Sequence, residues 1–318
     1  MKKQPLVLLL SNADDPQLHM LESVPHMRLN SASEINEEAT RAEVILHWAG
    51  SRDLLRSVFL ACPGVRWVHS RSAGLDSTLF PELVQSPVPL TNGSGVFSQT
   101  LGEFALAAIL YFAKDFRRML RNQEAGRWEQ FDVEEIAGQT VGIVGYGDIG
   151  RAVASRVSAM GMRVLALKRH APASPDPLIA QFYGTHELSA MLAHCDYVVM
   201  AAPLTAETHH MIGDAAFAAM KPNAVVINIG RGPVIDQAAL VRALTQGKIK
   251  GAGLDVFEQE PIPSGDPIYK FENVLVSPHC ADHTKDWLNQ AMRFFLQQYD
   301  RFRNGQPLEN IVEKHLGY

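Results

Sequence analysis

Three ionisable side chains stand where a parallel α/β sheet would gather them. Arg231 lies in a glycine-flanked loop, Glu260 lies in a later loop directly before a proline, and His279 follows a Ser-Pro pair. Each comes after a predicted strand, and doubly wound sheets bind ligands outside the carboxyl ends of their strands. A guanidinium suits carboxylates, an imidazole transfers protons, and a carboxylate orients an imidazole. The spacing therefore permits one acid–base site for a small anion.

A glycine-rich loop upstream of these residues predicts a dinucleotide site. Gly145, Gly147 and Gly150 form GxGxxG directly after an apolar strand at residues 141–144 and before a helical stretch at residues 151–160. The first glycine allows the tight turn, the second lets the backbone approach a pyrophosphate, and the third lets the helix pack on the strand. The alternative is a glycine turn that serves packing alone.

The end of the next predicted strand indicates which dinucleotide is preferred. An NAD-selective fold usually places Asp or Glu about 20 residues after the motif, where it holds the ribose hydroxyls. This chain has Lys168, Arg169 and His170 there. Cations at this position can pair with a 2′-phosphate, so NADP(H) is favoured and NAD(H) is possible. A solvated basic strand end is the alternative.

Composition excludes several other classes of protein. The chain has 318 residues, a formal net charge of −5 and 47% hydrophobic residues. No long basic run offers the electrostatic footprint of a nucleic-acid binder. Cys62, Cys195 and Cys280 show no metal-ligand spacing, so we expect neither a metal site nor a disulfide framework. The cysteine usage fits a reducing, cytoplasmic setting. We expect no membrane span, because no apolar run is long enough to cross a bilayer.

Alternating strands and helices predict an α/β protein of two domains. The first hundred residues indicate a small open sheet, and residues 99–121 indicate one long connecting helix. From residue 141 onward, six strands indicate a doubly wound parallel sheet. A helix at residues 284–303 is long enough to return toward the first sheet. We therefore predict a discontinuous substrate domain at residues 1–100 and 284–318, and a dinucleotide-binding domain at residues 101–283.

The chain resembles the D-isomer-specific 2-hydroxyacid dehydrogenases over nearly its full length. In the order and spacing of that family it carries the glycine loop, the Asn228 to Gly232 segment, the Asp255 to Pro261 segment and the Ser277 to His279 segment. The resemblance implies two Rossmann-like domains, a doubly wound cofactor domain and a smaller flavodoxin-like substrate domain. It also implies a homodimer.

The resemblance assigns roles to individual residues. Arg231 is expected to bind and polarise a 2-oxo acid, and His279 to donate a proton to the carbonyl oxygen. Glu260 is expected to fix the tautomer of that imidazole and favour its protonated form. The expected cofactor residues are Gly145, Tyr146, Gly147, Asp148, Ile149, Gly150, Lys168, Arg169, Pro203, Thr208, Ile229, Gly230 and Asp255. The expected substrate residues besides Arg231 are Ala73, Gly74, Leu75 and Trp48.

The sequence therefore predicts an NADPH-preferring reductase of small 2-oxo acids, such as glyoxylate or hydroxypyruvate, that yields the D-2-hydroxy acid where a stereocentre forms. Three alternatives stay open around the site. Glu258 could take the place of Glu260, Trp48 could serve core packing, and Cys280 could have a redox role. We interpret the adjacent His209 and His210 as a surface helix cap.

Two other functions occur on the same fold. A corepressor-like protein that senses a dinucleotide would keep the same residues with little turnover. Formate dehydrogenation uses Asn and Gln around its substrate, and Glu260 argues against it.

Overall fold

The computed structural model describes residues 4–12, 14–170 and 174–318, and these form two units. Unit 1 comprises the chain up to Phe97 together with His283–Tyr318, and unit 2 is the inserted segment Ser98–Asp282. The predicted domain boundaries lie within a few residues of this division. Among the described helices, none combines the length and the apolar character that a membrane span requires.

Unit 1 is built on five short strands, four of which consist of buried residues. Val, Leu and Ile dominate these strands, as expected for a parallel sheet covered on both faces. The strands are β1 (Val7–Leu10), β2 (His26–Leu29), β3 (Val44–His47), β4 (Trp67–Ser70) and β5 (Leu90–Thr91). They pair in parallel in the order β2-β1-β3-β4-β5, which is the flavodoxin-like order. Its helices here are α1 (Arg52–Ala61) and α2 (Pro81–Gln85).

Unit 2 opens with helices and continues as a larger parallel sheet. The helices are α3 (Ser98–Ala113), α4 (Phe116–Glu124), α5 (Asp148–Ala159), α6 (Leu188–Leu192), α7 (Asp214–Ala219) and α8 (Gln237–Thr245). The strands are β6 (Thr140–Val144), β7 (Arg163–Leu167), β8 (Gln181–Tyr183), β9 (Tyr197–Met200), β10 (Val225–Asn228), β11 (Gly251–Leu254) and β12 (Val274–Val276). Their order is β12-β11-β10-β9-β6-β7-β8. The strand order reverses between β6 and β9, where such sheets bind ligands.

Two sequence-based expectations about these elements are wrong. The single helix at residues 99–121 is two helices, because Asp115 takes a left-handed conformation at φ 49° between α3 and α4. Its carboxylate accepts a hydrogen bond from the backbone N–H of Arg118 at 3.3 Å, which caps α4. The unit 2 sheet also contains β8 in addition to the six expected strands.

The last helix, α9 (Trp287–Arg303), returns the chain to unit 1. Phe295 stacks on Trp67 of β4 with ring centroids 5.5 Å apart, and the hydroxyl of Tyr299 donates to the carbonyl of Pro5 at 2.8 Å. Farther on, Ile311 forms an antiparallel bridge with Thr91 of β5. Unit 1 is therefore assembled from both ends of the chain.

Candidate active site

The loop that carries Arg231 is held by the side chain of Asn228, the last residue of β10. The amide oxygen of Asn228 accepts from the backbone N–H of Gly230 at 3.1 Å, and its amide nitrogen donates to the carbonyl of Arg231 at 3.0 Å. Asn228 is 1% exposed. The half-buried Arg231 donates from Nη1 to the carbonyl of Gly230 at 2.7 Å. Sequence reasoning gave Asn228 no role, although an amide between a strand end and a glycine turn is a typical loop anchor.

The same loop is pressed against the segment that carries Glu260. A Cβ atom added to Gly232 would lie 1.8 Å from the carbonyl oxygen of Phe257. One added to Gly230 would lie 2.9 Å from the carbonyl oxygen of Ala202. Only glycine permits these approaches. The loops after β9, β10 and β11 therefore have fixed positions relative to one another.

Glu260 joins His279 directly. The Nδ1 atom of His279 lies 2.6 Å from Oε2 of Glu260, while Oε1 of Glu260 accepts from the backbone N–H of Phe257 at 2.8 Å. Both side chains are partly exposed. Because Nδ1 is engaged by the carboxylate, Nε2 is the ring nitrogen available for proton transfer.

Asp255 stabilises the loop at residues 277–281, which carries His279. This residue is 2% exposed. Its Oδ1 atom accepts from the hydroxyl of Ser277 at 2.5 Å and from the backbone N–H groups of Cys280 and Ala281, each at 3.0 Å. Its carbonyl accepts from the backbone N–H of His279 at 2.9 Å. The carboxylate thus organises the loop, and its predicted contact with a cofactor stays a prediction.

Glu258 belongs to a different pair from Glu260. Its Oε1 atom lies 2.5 Å from Nε2 of His210. The ring of His210 stacks on that of His209 with centroids 3.9 Å apart. The geometry therefore gives Glu260, and not Glu258, to His279. The helix-cap interpretation of the two histidines is wrong, because they lie in a turn before α7 in which His210 has φ 52°.

The three glycines of the glycine loop have different roles. Gly145 and Gly150 allow close packing, and Gly147 leaves room for a ligand. Gly145 has φ 96°, and a Cβ there would lie 2.6 Å from the backbone nitrogen of Ala202. A Cβ on Gly150 would lie 2.3 Å from the carbonyl oxygen of Gly145. Gly147, the N-cap of α5, would meet nothing within 4 Å. Gly147 therefore leaves open space beside a helix N-terminus, where unpaired N–H groups favour an anion.

Tyr146 in this loop turns its side chain toward the protein. Its hydroxyl donates to Oδ2 of Asp176 at 2.9 Å, and its ring packs edge-on against Phe182. Burial, followed by the nearby Asp176 carboxylate, raises the pKa of Tyr146 to about 12. Any contact of Tyr146 with a cofactor therefore falls to its backbone. Asp148 and Ile149 begin α5, the former exposed and the latter half-buried.

The expected cofactor residues on the loops after β9 and β10 are partly committed to local structure. The hydroxyl of Thr208 donates to the carbonyl of Pro203 at 2.6 Å and accepts from the backbone N–H of Thr205 at 2.8 Å. Ile229 is 3% exposed, and its N–H donates to the carbonyl of Met200 at 3.2 Å. Pro203 is exposed. The turn beginning at Pro203 is thus closed by its own hydrogen bonds.

After β7, Lys168 and Arg169 are half-buried and His170 is exposed, and Arg169 has an acidic partner. Nη2 of Arg169 lies 2.6 Å from Oε2 of Glu207. The backbone N–H of Lys168 donates to the carbonyl of Tyr183 at 3.0 Å. The pairing of Arg169 with Glu207 was not predicted from the sequence. No pattern near residue 207 indicates that the ends of β7 and β9 lie on either side of β6.

The predicted substrate loop of unit 1 follows β4 and rests on the loop after β5. The carbonyl of Ala73 accepts from the side chain of Asn92 at 2.7 Å. Leu75 is 3% exposed and belongs to the core of unit 1. Its side chain therefore packs inside, and only its backbone is placed to meet a ligand. Gly74 is half-buried between them.

Trp48 is buried at 1% exposure, which favours the packing interpretation. The Arg71 guanidinium lies over its ring at 5.1 Å from the centroid and over that of Trp287 at 5.2 Å. These distances are within the range of cation–π contacts. A role of Trp48 in limiting substrate size stays a prediction.

Comparison with known proteins identifies the family. Residues 106–281, more than half of the chain, match the NAD binding domain of the D-isomer specific 2-hydroxyacid dehydrogenases. The chain belongs to the D-isomer specific 2-hydroxyacid dehydrogenase family. The predicted family and α/β fold are confirmed, and the protein is an oxidoreductase of this dehydrogenase family.

Individual members of the family align along most of the chain. A glyoxylate reductase of Korarchaeum cryptofilum is 35% identical over 265 residues, which are 81% of this chain and 79% of that protein. A D-isomer specific 2-hydroxyacid dehydrogenase from Xanthobacter autotrophicus, solved in complex with NADPH and MES, has a TM-score of 0.85 at 29% identity and covers 99% of this chain and 100% of that one. An NADPH-dependent glyoxylate/hydroxypyruvate reductase from Sinorhizobium meliloti, solved with NADP and sulfate, has a TM-score of 0.85 at 26% identity, with coverage of 99% and 100%.

Proposed function

We propose that this dehydrogenase is an NADPH-preferring reductase of small 2-oxo acids, such as glyoxylate or hydroxypyruvate, and yields the D-2-hydroxy acid where a stereocentre forms. The 2.6 Å pair of His279 and Glu260 carries the proposal, because it supplies an oriented proton donor in the unit that holds the glycine loop. Relatives named glyoxylate reductase and NADPH-dependent glyoxylate/hydroxypyruvate reductase support the substrate class.

The residues of unit 2 fit a dinucleotide. The open space at Gly147 and the α5 N-terminus suit a pyrophosphate, and Lys168 and Arg169 suit a 2′-phosphate. When bound, the nicotinamide supplies the hydride. The neighbouring structures with NADPH and NADP support the preference for the phosphorylated form.

The chain's own residues supply binding, polarisation and the proton. The Arg231 guanidinium binds the substrate carboxylate and draws electron density toward the carbonyl oxygen. As hydride reaches the carbonyl carbon, Nε2 of His279 gives its proton to that oxygen, which becomes the hydroxyl. Glu260 holds the ring in position during the transfer. The reverse transfer serves oxidation.

We further propose that the backbone of Ala73, Gly74 and Leu75 contacts the carboxylate of the substrate. We also propose that the protein is a homodimer. Trp128 is 94% exposed, which is unusual for so large an apolar ring. Light scattering of wild type against Trp128→Ser tests whether this surface lies in the dimer contact. A monomeric wild type would contradict the homodimer.

The decisive assay is the loss of NADPH absorbance with a panel of 2-oxo acids. We expect turnover with glyoxylate or hydroxypyruvate, and turnover with none of them would overturn the substrate class. Replacing Lys168 and Arg169 by Gln should lower kcat/KM with NADPH far more than with NADH. Equal losses would contradict the 2′-phosphate assignment.

A dinucleotide-sensing, corepressor-like protein is the competing function. It would bind NADPH tightly and turn over negligibly. In the proposed enzyme, His279→Gln loses turnover and still binds NADPH, so binding and turnover measured on the same samples separate the two functions.

A further inference from the structure

Arg169 and Glu207 come from the two loops on either side of the glycine loop. Arg169 follows β7 and Glu207 follows β9, and these strands flank β6, which leads into Gly145. The 2.6 Å contact between Nη2 of Arg169 and Oε2 of Glu207 therefore passes across the carboxyl end of β6. The crevice at this end of the sheet is where doubly wound folds bind dinucleotides.

The acidic member of the pair lies on the solvent side. The side chain of Arg169 is 25% exposed, whereas that of Glu207 is 68% exposed. The turn beneath Glu207 is closed by the hydrogen bonds of Thr208 with Pro203 and Thr205. Since that turn holds the backbone, a rotation of the exposed Glu207 side chain is enough to break its contact with Arg169.

We propose that Glu207 is a specificity-determining residue that competes with the 2′-phosphate of the cofactor for Arg169. The inference rests on the proposed use of NADPH. Carboxylate and phosphate groups both bind the N–H edge of a guanidinium, and both can do so with two parallel hydrogen bonds. NADPH binding is then an exchange of anions on Arg169, and the negative charge of Glu207 opposes it. NADH carries no 2′-phosphate, so its binding leaves the ion pair in place.

The ion pair of Glu207 with Arg169 therefore lowers the preference of this protein for NADPH over NADH. A neutral residue at 207 removes the competitor for Arg169. An exposed ion pair is worth little, so the restraint is moderate and weakens as salt rises.

The test compares Glu207→Gln with wild type by calorimetric titration of 2′,5′-ADP and 5′-AMP and by fluorescence titration of NADPH and NADH. We expect Glu207→Gln to tighten 2′,5′-ADP and NADPH by about 3- to 10-fold at low salt, and 5′-AMP and NADH by less than about twofold. Glu272→Gln is the matched control. Its carboxylate pairs with Arg121 at 2.7 Å, is 71% exposed and precedes β12 at the opposite end of the sheet.

A double-mutant cycle assigns the effect to the pair. Once Arg169 is replaced by Gln, Glu207→Gln should change NADPH affinity by less than about twofold, because the shared partner is gone. A gain that persists without Arg169 would overturn the proposal.

The remaining outcomes are distinct from one another. Equal tightening of the phosphorylated and unphosphorylated ligands would overturn the proposed competition. Weaker NADPH binding by Glu207→Gln would also overturn it, because Glu207 would then position Arg169 for the 2′-phosphate. Failure of wild type to bind either dinucleotide would instead overturn the proposed function.

Discussion

The backbone N–H of His279 donates a hydrogen bond to the carbonyl oxygen of Asp255 at 2.9 Å. His279 has φ 52°, an uncommon conformation for a residue with a Cβ atom. The carboxylate of Asp255 binds the next two N–H groups, so one buried residue fixes three successive backbone positions. The orientation of the imidazole therefore depends on a group that need not touch a substrate.

Replacing Asp255 by Ala should reduce both stability and turnover. The change leaves the Ser277 hydroxyl and the N–H groups of Cys280 and Ala281, the latter buried, without their acceptor, which costs about 2 to 4 kcal/mol of unfolding free energy. Urea unfolding and kcat measure the two effects. Asp255→Asn keeps one acceptor oxygen and should lose less stability than Asp255→Ala. Full stability in both variants would show that the loop does not depend on the carboxylate.

Loss of the His279 imidazole should lower kcat by about 10²- to 10⁴-fold while NADPH binding is retained. Glu260→Gln keeps a hydrogen-bonding group but loses the charge, so it should fall between wild type and His279→Gln. Glu258→Gln is the matched control two residues away, because its carboxylate faces His210. If Glu258→Gln impaired kcat as much as Glu260→Gln, the assignment of Glu260 would be wrong.

Two glycines of one loop should respond oppositely to alanine. Gly150→Ala places a methyl group 2.3 Å from the carbonyl oxygen of Gly145, so we expect about 1 to 3 kcal/mol of destabilisation. Gly147→Ala enters open space at φ −102°, which alanine adopts readily, so the melting temperature should stay near that of wild type. The methyl group should weaken NADPH binding by about 10- to 100-fold by obstructing a backbone–phosphate hydrogen bond. Unchanged affinity in Gly147→Ala would place the pyrophosphate elsewhere.

Unit 1 should lose stability in mild acid because of His69. Burial lowers the pKa of this imidazole from 6.5 to about 3. Between those values the unfolded chain binds a proton that the folded chain does not, so stability falls as the pH drops below 6.5. One such group contributes at most about 1.4 kcal/mol per pH unit.

Urea unfolding between neutral pH and mild acid measures this contribution. His69→Gln should unfold with a flatter pH dependence than wild type, whereas His315→Gln, at an exposed position of the same unit, should not differ from wild type. Identical slopes for wild type and His69→Gln would exclude His69 as the source.

The sequence predicted those parts of the fold that rest on strong local patterns. Long buried strands such as β6 and the glycine turn at Gly145 have both periodicity and composition in their favour. The edge strands β2, β5 and β8 were missed because they are short and half polar or lie among turn residues. The break at Asp115 was missed because a left-handed residue inside an apolar pattern carries no periodic signal.

The candidate site shows the same division. Glu260 and His279 could be placed together because motif order and strand ends converge on one edge of the sheet. The pairing of Arg169 with Glu207, and of Glu258 with His210, depends on side-chain directions across different loops. Those directions are fixed only by tertiary packing, which spacing along a single chain does not encode.

The assembly of unit 1 from both ends of the chain sets an order of events during synthesis. Trp67 emerges from the ribosome early, yet the ring that stacks on it belongs to Phe295 of α9. Pro5 likewise receives its hydrogen bond from Tyr299. Unit 2 is translated in full between these partners and can complete its sheet first. Nascent chains stalled just before α9 should therefore contain a protease-resistant unit 2 and an amino-terminal segment that proteases still digest.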